Sequence, residues 1–207
     1  MTGELVLYTN PMSRGRIARW MLEETGAHYR TEIIEYGPMM KSAAYLAVNP
    51  MGKVPAIHHG DTVVTEAAAI CTYLADAFPD AGLAPPPGER GAYYRWLFFA
   101  AGPLEAATTN RFLGFEPPAD KQSMVGYGTY EAVMSALERA VSGGGWIAGE
   151  RFSAADVYVG SHVGWGLLMG TIETRPAFAD YWSRLENRAA RQRAEAIDNA
   201  PRGNTEE

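Results

Sequence analysis

The stretch NPMGKVPAIHHGDTVVTEAAAI, residues 49–70, decides the fold. Residues 54–58 and 62–65 are two apolar runs around His59-Gly60-Asp61, the spacing of a tight hairpin. The alanine-rich run 66–78 that follows keeps helical spacing and is stopped by Pro79. Pro55 opens a strand that should be internal, where proline cannot donate to a ladder. One solution is an ordinary trans proline at the strand start. The other is a cis Val54-Pro55 bond, which turns the Val54 N–H and C=O outward to pair with an extended peptide as an added strand. Cis is only about 5–6% of X–Pro bonds, so these residues alone favour trans. Thr65 is placed to N-cap the helix, and Glu66 in its first turn complements the dipole. That structural role is sufficient by itself. The same atoms also suit a ligand, with the Ala67 and Ala68 N–H groups facing a carboxylate and the Glu66 carboxylate facing an ammonium.

Upstream, YTNPMSRGRIARWMLEETG (residues 8–26) begins as a strand end, turns at Asn10-Pro11 and continues as a helix over 13–25. Ile17, Ala18, Met21 and Leu22 form one apolar stripe, and Gly26 supplies a left-handed stop. Arg14, Arg16 and Arg19 crowd its first turns, although cations there cost about 0.3–1 kcal/mol each when exposed. With Leu5–Thr9 as a strand and an alternating run at 29–35, the order is β-α-β, a loop, then β-β-α. The strand–helix–strand unit implies a parallel pair and the hairpin adds an antiparallel edge.

Downstream the character changes at AGLAPPPG, residues 81–88, a stiff spacer that cannot continue a helix. Beyond it the pattern is helical: 89–113 with a kink at Gly102-Pro103, then 120–141, 153–168 and 176–197. The polar tail from about 200 is expected to fray. The predicted organisation is an α/β domain over 1–80, a linker over 81–88 and an all-helical domain over 89–207.

Composition limits the functions. The chain has 207 residues, 47% hydrophobic and 20% charged, with a formal net charge of −6. Such a balance argues against nucleic acid as the main partner. No apolar run is long enough to span a membrane, and the N-terminus lacks the basic and apolar regions of a signal peptide. The single cysteine, Cys71, excludes an internal disulfide and a CxxC pair and suits a reducing cytoplasm. It lies mid-helix between Ile70 and Leu74, as a buried structural thiol does. The four histidines have no metal-ligand spacing, so no metal is expected.

In order, LYTNPMSRGR, NPMGKVPAI, TEAAAICTYL and the downstream WIAGERFSAADV resemble the glutathione S-transferase family over nearly the whole chain. In the last segment Ser153 and Asp156 form an S-x-x-D capping pair. The resemblance implies a thioredoxin-like glutathione-binding domain with Pro55 in cis, followed by an all-helical domain. Val54 would pair with the cysteinyl backbone, Glu66 and the Ala67 N–H would hold the γ-glutamyl end, and Lys41 or Lys53, with Lys53 preferred, would meet the glycine carboxylate. Many members have serine where this chain has Ala67.

The resemblance also answers why arginines crowd the first helix. The chemistry needs a thiolate, and lowering a thiol pKa of about 8.5 by about 2 units takes roughly 2.7 kcal/mol. A hydroxyl at a positive helix mouth supplies that kind of field. Ser13 is the first candidate for the donor, and plain capping is its alternative role. Tyr8 is the rival, because other branches use a tyrosine at this strand end. Arg14 is assigned to the anion; Arg16 and Arg19 are assigned to structure, Arg19 pairing with Glu23.

A second, electrophilic and apolar substrate would meet Met12, Asn110, Arg111, Phe112, Phe115 and Trp165, by resemblance. The implied activity is a cytoplasmic, homodimeric glutathione transferase of detoxification, with glutathione as co-substrate and no tightly bound cofactor. The alternatives are a non-catalytic ligand carrier or scaffold on the same fold, or a glutathione-dependent isomerase, dehalogenase or peroxidase.

Overall fold

The computed structural model describes residues 3–201. The chain forms two compact units. One comprises the chain through Leu74 and again from Arg188 onward; the other is Ala75–Asn187.

The first unit is built on a four-stranded sheet of order β2-β1-β3-β4, with β1 (Leu5–Thr9), β2 (Arg30–Ile33), β3 (Ala56–His59) and β4 (Thr62–Thr65). β1 and β2 are parallel, while β3 is antiparallel to both β1 and β4. The expected parallel pair and hairpin are both present. The hairpin reverses at Gly60, whose φ of 59° needs no Cβ.

Successive strand side chains point to opposite faces, and the end of β1 shows what covers each one. Tyr8 packs, with Val48 and Val54, on a cluster of Ile34, Met40 and Tyr45, which puts α2 (Ala43–Val48) on that face. Thr9 points the other way. Its Oγ1 lies 1.8 Å from where a Cβ on Gly15 would stand, which puts α1 (Gly15–Thr25) on the opposite face. α1 buries Ile17, Ala18, Met21 and Leu22, the predicted stripe, and ends at Gly26 with φ 68°. It begins two residues later than the spacing predicts, because residues 11–14 are spent on the turn out of β1.

α3 (Ala67–Ala77) follows β4 directly. Thr65 is therefore the last residue of a strand, not the cap expected of it. Glu66 takes the cap position, its carbonyl accepting the Ile70 N–H at 2.9 Å. Cys71 is buried on α3, and burial pushes its thiol pKa up.

In the second unit α4 (Gly91–Phe99) passes through a wider π-turn, Ala100–Leu104, into α5 (Glu105–Phe112). Pro103 lies inside that turn, where its missing N–H is absorbed. The helix expected over 120–141 is shorter: α6 is Tyr130–Val141, after a 3₁₀ turn at Ala119–Met124 and a left-handed Gly128. α7 (Ala154–Met169) and α8 (Pro176–Glu186) complete the unit.

One helix predicted over 176–197 is in fact two. α9 (Ala189–Asn199) groups with the first unit, away from the helical domain drawn over 89–207. Its ion pairs to α1 explain why. Arg19 meets Asp198 at 2.7 Å, Glu24 meets Arg188 at 2.7 Å and Glu23 meets Arg193 at 3.0 Å. Arg19 is thus structural, as expected, but its partner is Asp198 and not Glu23. The expected fraying concerns a tail that lies, beyond residue 201, outside the described residues.

Candidate functional site

The register brings the predicted residues to one edge of the sheet. Glu32, Tyr8, Ala56 and Thr65 stand in one row across the four strands. The chain leaves β1 just beyond Tyr8, arrives at β3 through Val54-Pro55 just before Ala56, and leaves β4 at Glu66 just beyond Thr65. Both α1 and α3 therefore begin at this edge, with their N–H ends and positive dipole ends there.

Asn10 fixes the first corner. Its buried side chain donates to the Ile34 carbonyl at 3.1 Å and accepts the Met12 N–H at 3.0 Å, tying the exit of β1 to that of β2. Ser13 follows, half-buried. Its Oγ donates to the Asn10 carbonyl at 2.6 Å and accepts the Gly15 N–H at 2.9 Å. Ser13 thus does part of the capping expected of it, one residue before the cap position at Arg14, which contributes no capping side chain. No acidic residue lies in the first turn of α1. Arg16 donates to the Pro11 carbonyl at 2.6 Å and to Asn199 at 2.5 Å, bracing the same turn.

The second corner carries a cis Val54-Pro55 bond. Among the described residues no hydrogen bond takes up the Val54 N–H or C=O. The segment before it is held firmly. The Lys53 carbonyl accepts from the Tyr45 hydroxyl at 2.7 Å and from the Asn49 amide at 2.8 Å. The Lys41 ammonium is spent on the same loop, donating to the carbonyls of Met51 and Gly52 at 3.0 Å each. The exposed Lys53 ammonium has no partner among the described residues. Burial, and then the neighbouring Tyr8, pushes the Tyr45 hydroxyl up to about 12.

The third corner is Glu66, exposed and with φ 66°, a left-handed conformation that a non-glycine residue adopts at a cost of about 1–2 kcal/mol. It starts α3 so that the Ala67 and Ala68 N–H groups have no acceptor among the described residues.

Tyr8 lies beneath this edge on the α2 face, its ring centroid 6.0 Å from that of Tyr45. Met12 is exposed beside Tyr36, whose hydroxyl donates to the Met12 carbonyl at 3.0 Å.

The other predicted pocket residues lie in the second unit. Arg111 and Phe115 line a cleft of about 320 Å³ with Tyr127, Tyr130, Glu131 and Glu173. The Arg111 guanidinium stacks 4.1 Å above the Tyr130 ring. The Asn110 amide donates to the Tyr127 hydroxyl at 2.9 Å. Phe112 and Trp165 do not line that cleft; Phe112 is 73% exposed on α5. Among the described residues no three His, Cys, Asp or Glu side chains are grouped to hold a metal ion, and no helix is long and apolar enough to cross a membrane.

Sequence reasoning passed over Thr9, Gly15, Tyr45 and Asn49. Asn10 and Asn49 each had a local signal, an Asn-Pro turn; Thr9, Gly15 and Tyr45 act through contacts that no spacing announces.

A mixed β2-β1-β3-β4 sheet, with two helices opening at the same edge beside a cis proline, defines a thioredoxin-like unit, and the second unit is helical. The model of the glutathione S-transferase N-terminal domain matches residues 12–77. A glutathione transferase from Methylococcus capsulatus has a solved structure that superposes with a TM-score of 0.77 at 31% identity, covering 94% of this chain and 98% of its own. A sphingomonad glutathione S-transferase complexed with glutathione gives 0.74 at 27% identity, covering 95% and 100%. Glutathione S-transferase GstA of Escherichia coli O157:H7 is 35% identical over 124 residues, which span 58% of this chain and 61% of that relative's length. The chain belongs to the glutathione S-transferase family.

Proposed function

We propose that the protein is a glutathione transferase that directs the glutathione thiolate at small, apolar electrophiles. The observation that carries this reading is the convergence at one sheet edge of two open helix N-termini and an unpaired Val54 main chain. An extended γ-glutamyl peptide has complementary groups. Its cysteinyl N–H and C=O pair with Val54 beside Pro55. Its α-carboxylate meets the Ala67 N–H and its ammonium meets Glu66. Its glycine carboxylate meets Lys53, since Lys41 is already engaged.

The sulfur then lies at the mouth of α1, where Ser13 is the donor. Its hydroxyl must first leave the Asn10 carbonyl. That carbonyl keeps the Ser13 N–H at 3.0 Å, so the exchange leaves no orphan acceptor. The net difference is within the roughly 0.5–1.5 kcal/mol of one ordinary hydrogen bond. Arg14 on the same turn adds positive charge. Tyr8 remains the second candidate donor, because its hydroxyl has no hydrogen-bond partner among the described residues.

Residues 1–80 form the glutathione-binding domain in this reading, with the helical part beyond the 81–88 linker supplying the second-substrate pocket. We assign Arg111 and Phe115, with Asn110, Phe112 and Trp165 of the same unit, to that pocket. The exposed Phe98 and Leu168 support a homodimer, which sedimentation would register as twice the 22.5 kDa chain mass. Cytoplasmic detoxification is the proposed setting.

The test is the Ser13→Ala variant, assayed with glutathione and a panel of aryl halides and hydroperoxides. Turnover should fall at least about tenfold while calorimetric glutathione affinity stays within about twofold. Unchanged turnover would move the donor role to Tyr8. Absence of binding at millimolar glutathione would replace the enzyme with a carrier or scaffold.

A further inference from the structure

Thr9 presents a problem that the reading above does not use. The residue is completely buried, and its Oγ1 has no hydrogen-bond partner among the described residues. Native folds rarely leave a buried hydroxyl unpaired, and a valine would fill the same volume without that penalty. The hydroxyl is also aimed. A Cβ built on Gly15 would lie 1.8 Å from Thr9 Oγ1 but 3.0 Å from Thr9 Cβ, so the oxygen is the part of the side chain directed at the helix start. The same point is 3.0 Å from Ser13 Oγ. That point, beside both hydroxyls, carries no side chain because residue 15 is glycine.

Ser13 Oγ has room for a second donor. A hydroxyl carries one donor and two acceptor sites, and here only the Gly15 N–H occupies an acceptor site. We propose that Thr9 is a positioning residue for Ser13: when the Ser13 O–H turns from the Asn10 carbonyl to the glutathione sulfur, the Thr9 O–H donates to Ser13 Oγ. This rests on the assignment of Ser13 as the thiolate donor. A hydroxyl that accepts hydrogen bonds donates more strongly, so the relay Thr9 O–H to Ser13 O–H to sulfur favours the anion.

The charged and titratable groups on the elements meeting at this corner are Tyr8 on β1, Arg14 and Arg16 at the start of α1, Glu35 and Tyr36 after β2, Lys53 before β3 and Glu66 before α3. All of them are retained in the variants below.

The experiment compares Thr9→Val with Thr9→Ser in the full chain. The readouts are thermal stability, the pH profile of kcat/KM, and the ultraviolet absorbance of enzyme-bound glutathione thiolate. Thr9→Val should be as stable as the parent or more so, because it removes an unpaired hydroxyl. The bound thiol pKa should rise by about half a unit, which lowers kcat/KM about threefold below that pKa, with the KM for glutathione within about twofold. Thr9→Ser should restore the parent profile. In a Ser13→Ala background Thr9→Val should change nothing further. An unshifted thiolate titration in Thr9→Val, or an equal loss in the Ser13→Ala background, overturns the relay. If Ser13→Ala is impaired and Thr9→Val is silent, only the role of Thr9 falls. If Ser13→Ala keeps full turnover, the Ser13 assignment and the relay fall together.

Discussion

Two of the serines that lead into helices are treated in opposite ways: Ser153 caps α7, and Ser13 stands one residue before the cap position of α1. At α7, Ser153 faces its own acid: the Ser153 N–H and Oγ–H both reach Asp156 Oδ2, at 3.0 and 3.1 Å. The other carboxylate oxygen takes the Ile147 N–H at 2.8 Å and the Tyr181 hydroxyl at 2.9 Å. Everything there is buried and paired. At α1, Ser13 has no acid within the first turn, arginines stand where a carboxylate would help, and the hydroxyl remains half-buried. A closed N-terminus uses its dipole for stability. An open one keeps its field for an incoming anion. The same residue type at a helix start serves opposite ends, depending on whether an acid follows three residues on.

The contrast can be broken at either helix. The largest effect is expected from Asp156→Ala, which strands the Ile147 N–H and the Tyr181 hydroxyl in the core. Urea unfolding should register a loss of about 3–4 kcal/mol, while the pH profile of the remaining folded enzyme stays that of the parent. A changed profile would mean that the two helix starts are not independent.

Next in size is Gly15→Ala. A methyl 1.8 Å from Thr9 Oγ1 has no room, and overpacking should destabilise by about 1–3 kcal/mol. Combination with Thr9→Ala should recover part of that loss in the same denaturation assay.

Arg14→Asp closes α1 differently, by putting a carboxylate at its cap position. The bound thiol pKa should then rise by about one unit in the thiolate absorbance titration, with little change in melting temperature. A fall in thiol pKa would contradict the open-mouth view.

The smallest effect concerns the tyrosine that braces the second corner, as Tyr181 braces Asp156. Tyr45→Phe removes the bond to the Lys53 carbonyl and should cost about 1 kcal/mol at neutral pH. Because the folded hydroxyl is pushed up to about 12, the unfolded chain loses this proton first as pH rises above about 10. Parent stability should therefore decline between those pH values, and the variant should decline less steeply in pH-dependent unfolding.

Much of the first unit was legible from spacing. The apolar stripe on α1, the Gly26 stop and the hairpin around Gly60 are local features, each written in a few neighbouring residues. The helix predicted over 176–197 failed for a different reason. Its periodicity runs on through Asn187 and Arg188, but α8 and α9 pack on different partners, and packing interrupts what periodicity continues. Lys53 is preferred to Lys41 on the resemblance alone, and spacing adds nothing to separate them. A folded loop is needed to engage one ammonium and leave the other exposed.

By itself, the amino-acid order determined most of the succession of strands and helices, the single cysteine on the helix after the hairpin, and Ser13 as a hydroxyl at a helix mouth. These follow from φ/ψ preferences and side-chain periods that act over a few residues. Tertiary structure alone decided that Arg19 meets Asp198, that α9 returns to the first unit, that Glu66 holds a left-handed backbone, and that an unpaired Thr9 hydroxyl lies against Gly15. Those outcomes depend on contacts between distant segments and on exclusion of water, and neither has a signature in sequence spacing.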